Sequence, residues 1–81
     1  MDQIDAIDAL ARRLPEHAWT IRRLHRRNAE FRALCADFGE ALSALEHWRR
    51  TAEHELVREY DQLTNELEEE ILTFIEPRAL C

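Results

Sequence analysis

The sequence predicts an all-α protein: an antiparallel, coiled-coil-like helical hairpin with an additional N-terminal helical segment. Three observations carry that prediction. Only one Gly and two Pro occur among 81 residues, too few turn residues for an all-β chain. Two long stretches repeat apolar residues in steps of three and four, the spacing of one helix face. Hydrophobic residues make up 46% and charged residues 35%, a globular balance rather than a disordered one. A chain of this size builds one small core, so it is read as one domain in three parts. Residues 1–27 form an N-terminal helical segment with an Arg cluster. Residues 28–76 form the αα-hairpin, and residues 77–81 a frayed C-terminal tail.

The first helix starts near Asp2 and Asp5, which together resemble a capping box. Ile4, Ile7, Leu10, Ala11 and Leu14 come next at helical spacing, and Asp8 and Arg12 are a favourable i,i+4 pair. Pro15 then disfavours a helical Leu14, which predicts a break or kink there. It can equally open the next helix, because the first helical position has no use for an N–H. That next piece runs to about Arg27, with Trp19, Ile21 and Leu24 as its apolar residues.

Asn28 is a natural N-cap for the first long helix. Its stripe runs through Phe31, Leu34, Cys35, Phe38, Ala41, Leu42, Leu45 and Trp48. The stripe breaks at residues 49–52, and Thr51 is the expected N-cap of the second long helix. The second stripe is Leu56, Tyr60, Leu63, Leu67, Ile71 and Phe74, widened by Val57, Thr64 and Ile75. Pro77 ends that helix near Ile75 or Glu76. The expected helices, about 28–50 and 52–76, are matched at roughly 31 Å each, as an antiparallel hairpin needs. The competing reading is one unbroken helix through residues 49–53, dimerised as a long coiled coil. The hairpin is preferred. It cannot cover its own apolar surface, so the N-terminal segment, self-association, or both must do so.

Charge is unevenly spread along the chain. The formal net charge is −6, which disfavours non-specific DNA binding as the main task. Residues 12–27 nevertheless hold six Arg against Glu16, a net +5, and residues 51–81 hold nine acids against Arg58 and Arg78, a net −7. All eleven basic residues are Arg. Arg22 and Arg26, and Arg23 and Arg27, are like-charge i,i+4 pairs that local structure does not account for. Their counter-charge is expected on the acidic face of the last helix, at Glu59, Glu66, Glu69 and Glu70, within the chain or across a dimer.

Residues that carry chemistry elsewhere have no supporting arrangement here. A single glycine excludes a P-loop and a dinucleotide-binding fingerprint. Glu66, Glu68, Glu69 and Glu70 read as a solvated face without the cleft that a catalytic carboxylate pair requires. Ser43, Thr20, Thr51, Thr64 and Thr73 have no base beside them. The chain is read as a non-enzyme without cofactor, unless a partner subunit completes a site. Cys35 falls on the apolar stripe as a small buried hydrophobe, and Cys81 is read as a frayed thiol; the two do not make a disulfide framework. His47 and His54 flank the proposed turn beside Glu46 and Glu53. They are read as solvated turn residues, with adventitious metal binding as the alternative.

Gly39 lies in the row Arg32, Ala36, Gly39 and Ser43. It marks either a close helix approach or a tolerated surface glycine costing roughly 1 kcal/mol. Trp48 continues the first long stripe and is read as core or interface. Trp19 precedes the Arg cluster and can anchor that segment on the bundle.

The segment from Trp19 to about Glu76 resembles the YdcH-like family of small bacterial proteins of unknown function. The resemblance rests on Leu24-His25-Arg26-Arg27-Asn28-Ala29-Glu30-Phe31-Arg32-Ala33-Leu34, a Leu, a polar linker, a capping residue and a Phe-x-x-Leu helix start. It rests also on Leu63 and on Leu67-Glu68-Glu69-Glu70-Ile71. The resemblance implies a helical hairpin with coiled-coil-like character and no catalytic residues. Two departures stand out. The family's last helix is rich in Lys, whereas Arg58 is the only basic residue in 51–76 here, and the connection between the long helices is shorter.

The expected function is therefore that of a non-enzymatic helical adaptor or regulator, binding a protein partner through helix–helix contacts. A homo-oligomer is expected, a dimer first. The alternative is binding of RNA or an anionic surface through residues 12–27. The candidate partner-binding residues are Arg22, Arg23, Arg26, Arg27, Trp19, Gly39 and Trp48. The N-terminus has neither a basic region nor an apolar core of a signal peptide. No charge-free stretch approaches the ~20 residues of a membrane span. A cytoplasmic location is expected.

Overall fold

The computed structural model describes residues 5–76. Along them lie α1 (Ala6–Arg13), a single 3₁₀ turn (Pro15–His17), α2 (Ala18–Arg27), α3 (Ala29–Thr51) and α4 (His54–Ile75), with no strand among the described residues. The chain is all-α, and α3 and α4 form a hairpin against which the N-terminal helices pack.

The start of α1 is set by Asp5, whose carboxylate accepts from the N–H groups of Ile7 at 3.1 Å and Asp8 at 3.4 Å. Asp5 supplies an acceptor that the first turn lacks, and the helix begins one residue after it. Asp2 and Ile4, placed in this helix by the sequence, lie outside the described residues. Asp8 pairs with Arg12 at 2.9 Å. Leu14 then leaves helical geometry at φ −127° and ψ 65°, as a residue before proline tends to. Pro15 occupies the first position of the 3₁₀ turn, which runs straight into α2. Both readings of Pro15 therefore hold, since it ends one helix and opens the next.

Asn28 joins α2 to α3 with no intervening linker. Its N–H donates to the Leu24 carbonyl at 2.8 Å, closing α2. Its side-chain oxygen accepts from the Phe31 N–H at 2.9 Å, opening α3. Asn28→Ala is expected to cost about 1 kcal/mol, a fall of roughly 4–8 °C in a domain of this size. Thermal unfolding followed by circular dichroism measures it. Asn28→Asp should recover most of the loss, and an unchanged midpoint in the Ala variant would discard the cap as a stabilising feature.

The hairpin is antiparallel. Phe31 at the start of α3 meets Phe74 near the end of α4, ring centroids 5.3 Å apart and edge to face. At the other end Arg49 approaches Asp61 at 4.0 Å. A continuous helix from Ala29 to Ile75 would be roughly 70 Å long, whereas the longest dimension of the chain is 37 Å.

The turn differs from its expected form. Thr51 does not cap α4. It is the last residue of α3, and its hydroxyl donates to the Trp48 carbonyl at 3.2 Å. Ala52 takes the left-handed conformation, φ 59° and ψ 34°. The Ala52 N–H reaches the Arg49 carbonyl at 3.4 Å, and the Glu53 N–H reaches that of Trp48 at 3.2 Å. This is a Schellman closure, which satisfies the carbonyls at the end of α3 and reverses the chain after Thr51 rather than before it. Glu53 precedes α4 with no side-chain cap.

The core gathers Leu10 and Leu14 from the first segment, Ile21 from α2, Phe31, Cys35, Phe38, Leu42 and Leu45 from α3, and Ile71 from α4. The N-terminal segment thus covers one side of the hairpin, and two polar contacts fasten it. Arg13 Nε donates to Glu68 at 2.6 Å while its guanidinium lies 5.6 Å from the Phe38 ring centroid. His17 Nε2 lies 3.0 Å from a Glu76 carboxylate oxygen.

Those contacts explain a second correction. The sequence runs the apolar stripe of α4 through Leu56, Tyr60, Leu63, Leu67, Ile71 and Phe74, with Thr64 only at its widened edge, and Ile71 is fully buried as expected. In the structure Thr64 is 1% exposed and Leu63 is 40% exposed. Helix α4 must face α3 and also present Glu68 to Arg13, so its covered face turns toward Thr64 and leaves Leu63 outside. The Thr64 hydroxyl stays satisfied by donating to the Tyr60 carbonyl at 2.7 Å. No helix among the described residues is long and apolar enough to cross a membrane. Residues 77–81, expected to form a frayed tail and including Pro77 and Cys81, lie outside the described residues.

Candidate functional site

Two surfaces stand out once the core is accounted for. The first is the outer face of α2. Ile21 turns inward and is fully buried. Trp19, Arg22, Arg23, Arg26 and Arg27 then share the opposite face by helical spacing, and all five are exposed. Trp19, 69% exposed, does not anchor α2 on the bundle. With Ile21 and the half-buried Leu24 already supplying the anchor, Trp19 falls on the far side. Its ring instead carries the Arg23 guanidinium, 5.1 Å from the centroid.

The expected docking of the four Arg on the acidic face of the last helix is not made within the chain. Among the described residues no ion pair joins Arg22, Arg23, Arg26 or Arg27 to α4. From the N-terminal segment it is Arg13 that reaches α4, through Glu68. Part of the cluster does have a local reason that charge spacing alone misses. Arg26 and Arg27 lie in the last turn of α2, where the helix dipole favours cations. Arg32 reaches back to donate to the carbonyls of His25 at 3.0 Å and Arg26 at 3.2 Å. Arg22 and Arg23 gain nothing from that end effect.

The second surface is a groove of about 410 Å³ between α3 and α4, on a flank that the N-terminal segment leaves open. Ala41 and Ala44 on α3, with Tyr60, Leu63 and Leu67 on α4, give it an apolar lining, and Asp37 and Glu40 border it. All these apolar side chains except Ala44 belong to the predicted stripes. The sequence could not say which stretch of a stripe stays uncovered, because that depends on the side to which residues 5–27 dock. A second recess of about 320 Å³ runs along the seam between α1, α3 and α4. Its charged wall is already paired, Arg49 with Glu46 at 3.4 Å and with Asp61 at 4.0 Å.

Gly39 is buried and does not have a positive φ, so size rather than backbone freedom explains the glycine. Trp48 is half-buried near the turn, its ring edge to face with His47 at 4.7 Å. His47 and His54 are both exposed, and among the described residues no group of three or more His, Cys, Asp or Glu is placed to hold a metal ion. Burial pushes the Cys35 thiol up to about 11, so at neutral pH it is protonated and packs as an apolar group. Of the Glu run, Glu66 accepts from Gln62 at 3.2 Å, Glu68 pairs with Arg13, and Glu69 and Glu70 are exposed. No family model, curated protein or solved structure matches the chain, so a functional reading rests on its own residues.

Proposed function

We propose that the chain is a non-enzymatic helical interaction module, an adaptor or regulator that associates with protein through helix–helix contacts. The observation that carries this reading is the open groove between α3 and α4, with Leu63 exposed in an apolar lining and carboxylates at its border. Two parallel ridges with small residues at Ala41 and Ala44 make a seat for a third helix. An amphipathic helix fills such a seat with side chains at i, i+3 or i+4, and i+7. The proposal includes a cytoplasmic location, self-association, and the likeness to the YdcH-like family, which implies a helical hairpin and assigns no catalytic residue.

A second reading is favoured by a different observation. The outer face of α2 sets an exposed Trp19 among four exposed Arg, and an aromatic ring within a basic patch suits stacking on bases and contact with phosphates. Photo-crosslinking separates the two. A photoreactive residue at position 63 is expected to capture protein in the native cell. If position 63 captures none while the same residue at position 27 captures RNA, the RNA reading replaces the interaction module. Salt gives an independent check, since binding of RNA falls steeply with ionic strength and apolar helix packing does not.

A further inference from the structure

We infer that the occupant of the α3/α4 groove is α2 of a second copy of this chain. The inference rests on reading the groove as a docking site and names its partner. Shape, charge and connectivity argue for it together.

The groove is lined along residues 37–44 of α3 and 60–67 of α4, a run of roughly 10 Å on each helix. Helix α2 has 10 residues and is roughly 15 Å long, enough to lie along it. The exposed face of α2 carries one large aromatic side chain, Trp19, and the groove is apolar at its floor. A lone Trp ringed by Arg is the composition of an interface anchor.

The charges complement each other on both walls. Asp37 and Glu40 border the groove on α3. On α4, Glu59, Glu66 and Glu70 stand four residues before, three after and seven after Leu63, so they share its side of the helix, and all three are exposed. Neither Lys nor Arg lines the groove. Helix α2 contains four Arg and no acid. Arg22 and Arg23, which the helix C-terminus does not reach, face like charges one turn away, and carboxylates on a groove wall would relieve that repulsion.

Connectivity decides which copy supplies the helix. Ile21 holds the inner face of α2 in the core, and Asn28 passes directly into α3. With both in place, the outer face of α2 cannot turn into the groove of its own molecule. Each copy carries one outer α2 face and one groove. The contact joins two different surfaces of the chain, and a two-fold axis that sets each outer α2 face in the other copy's groove makes it twice and closes a dimer.

Sedimentation velocity on the full chain, from low-micromolar to near-millimolar concentration and at low and high salt, tests the inference. A monomer–dimer equilibrium that weakens with salt is expected. Trp19→Ala, at an exposed site whose loss leaves the core intact, should raise the dimer Kd about thirtyfold or more. Leu63→Arg should do the same. The decisive arm is a charge exchange. One variant carries Arg22, Arg23, Arg26 and Arg27→Glu, and the other carries Asp37, Glu59 and Glu66→Lys. Each alone should be monomeric, and an equimolar mixture should form a one-to-one dimer, because both contacts are then restored. Circular dichroism confirms that each variant remains helical, and the Trp19 and Leu63 variants decide the matter should a charge variant unfold.

A wild-type chain that is monomeric throughout overturns the inference. So does a dimer indifferent to Trp19→Ala and Leu63→Arg, a dimer lost with Leu63→Arg but kept by the Arg→Glu variant, or a mixture that stays monomeric. A monomeric wild-type chain that binds RNA through the four Arg overturns it in favour of the second reading. If position 63 still crosslinks to a different protein, the groove remains a docking site and only its occupant was misassigned.

Discussion

Phe31→Ala is expected to remove about 3–5 kcal/mol of stability, the cost of truncating a fully buried aromatic side chain. Phe31 is 0% exposed and stands in the first turn of α3. Its N–H is held by the Asn28 side chain at 2.9 Å, and its ring meets Phe74 edge to face at 5.3 Å. One residue thus closes the open end of the hairpin and fixes the corner where α2 turns into α3. Small domains are stable by about 5–15 kcal/mol in total, so the loss takes a large share. The expected result is a thermal midpoint lower by well over 10 °C, at roughly 4–8 °C per kcal/mol. Phe74→Ala, at a half-buried site, should cost less. A Phe31→Ala protein that melts within a few degrees of wild type would mean that the two helices close without this contact.

Much of that corner is legible in the sequence, because it is local. Asn28 before Ala29-Glu30-Phe31 signals a cap, and the i,i+3,i+4 spacing from Phe31 to Leu45 signals one face. Leu14 before Pro15 signals the break between the first two helices, and Cys35 on the stripe signals a buried thiol. Each of these depends on residues within one or two helical turns. The features that escaped depend on where distant elements dock. Leu63 and Thr64 are neighbours in α4, and both fit a periodic face. Only the approach of the N-terminal segment, with Arg13 reaching Glu68 across 55 positions of sequence, decides that Thr64 is covered and Leu63 is not. The turn escaped for another reason. Ala52 in the left-handed conformation costs an L-residue roughly 1–2 kcal/mol more than the right-handed form, and nothing in alanine advertises it.

The candidate surfaces divide along the same line. The α2 face is readable because Trp19, Arg22, Arg23, Arg26 and Arg27 lie within ten residues of each other and repeat with the helix. The groove is not, since α3 supplies one wall and α4 the other. The charge imbalance between residues 12–27 and 51–81 does anticipate that the two regions complement each other. It could not show that Arg13 and His17 make the intramolecular contacts and leave the α2 cluster exposed.

Gly39→Leu is expected to loosen the N-terminal segment while leaving the α3/α4 hairpin formed. Glycine inside a helix costs roughly 1 kcal/mol relative to alanine, and Gly39 is buried without a positive φ. Its value must therefore lie in the missing side chain. The groove residues of α3, among them Asp37, Glu40, Ala41 and Ala44, lie on the opposite flank of the helix. One turn along α3 from Gly39, Leu42 borders the seam with Ala9, Arg12 and Arg13 of α1, and Glu46 borders it a turn further on. Gly39 lies toward the flank that borders the N-terminal segment, so its missing Cβ suits a close approach there. A Leu side chain there brings overpacking of about 1–3 kcal/mol, which opposes a propensity gain of up to about 1 kcal/mol. Amide exchange should quicken across residues 6–27 and stay slow in the middle of α3 and α4. Gly39→Ala separates the two effects, because it keeps most of the propensity gain and adds only one methyl group. The expected order of stability places Leu last. A Leu variant that is more stable than wild type, with exchange at residues 6–27 unchanged, would remove Gly39 from the packing of the segment and return it to the status of a tolerated helix glycine.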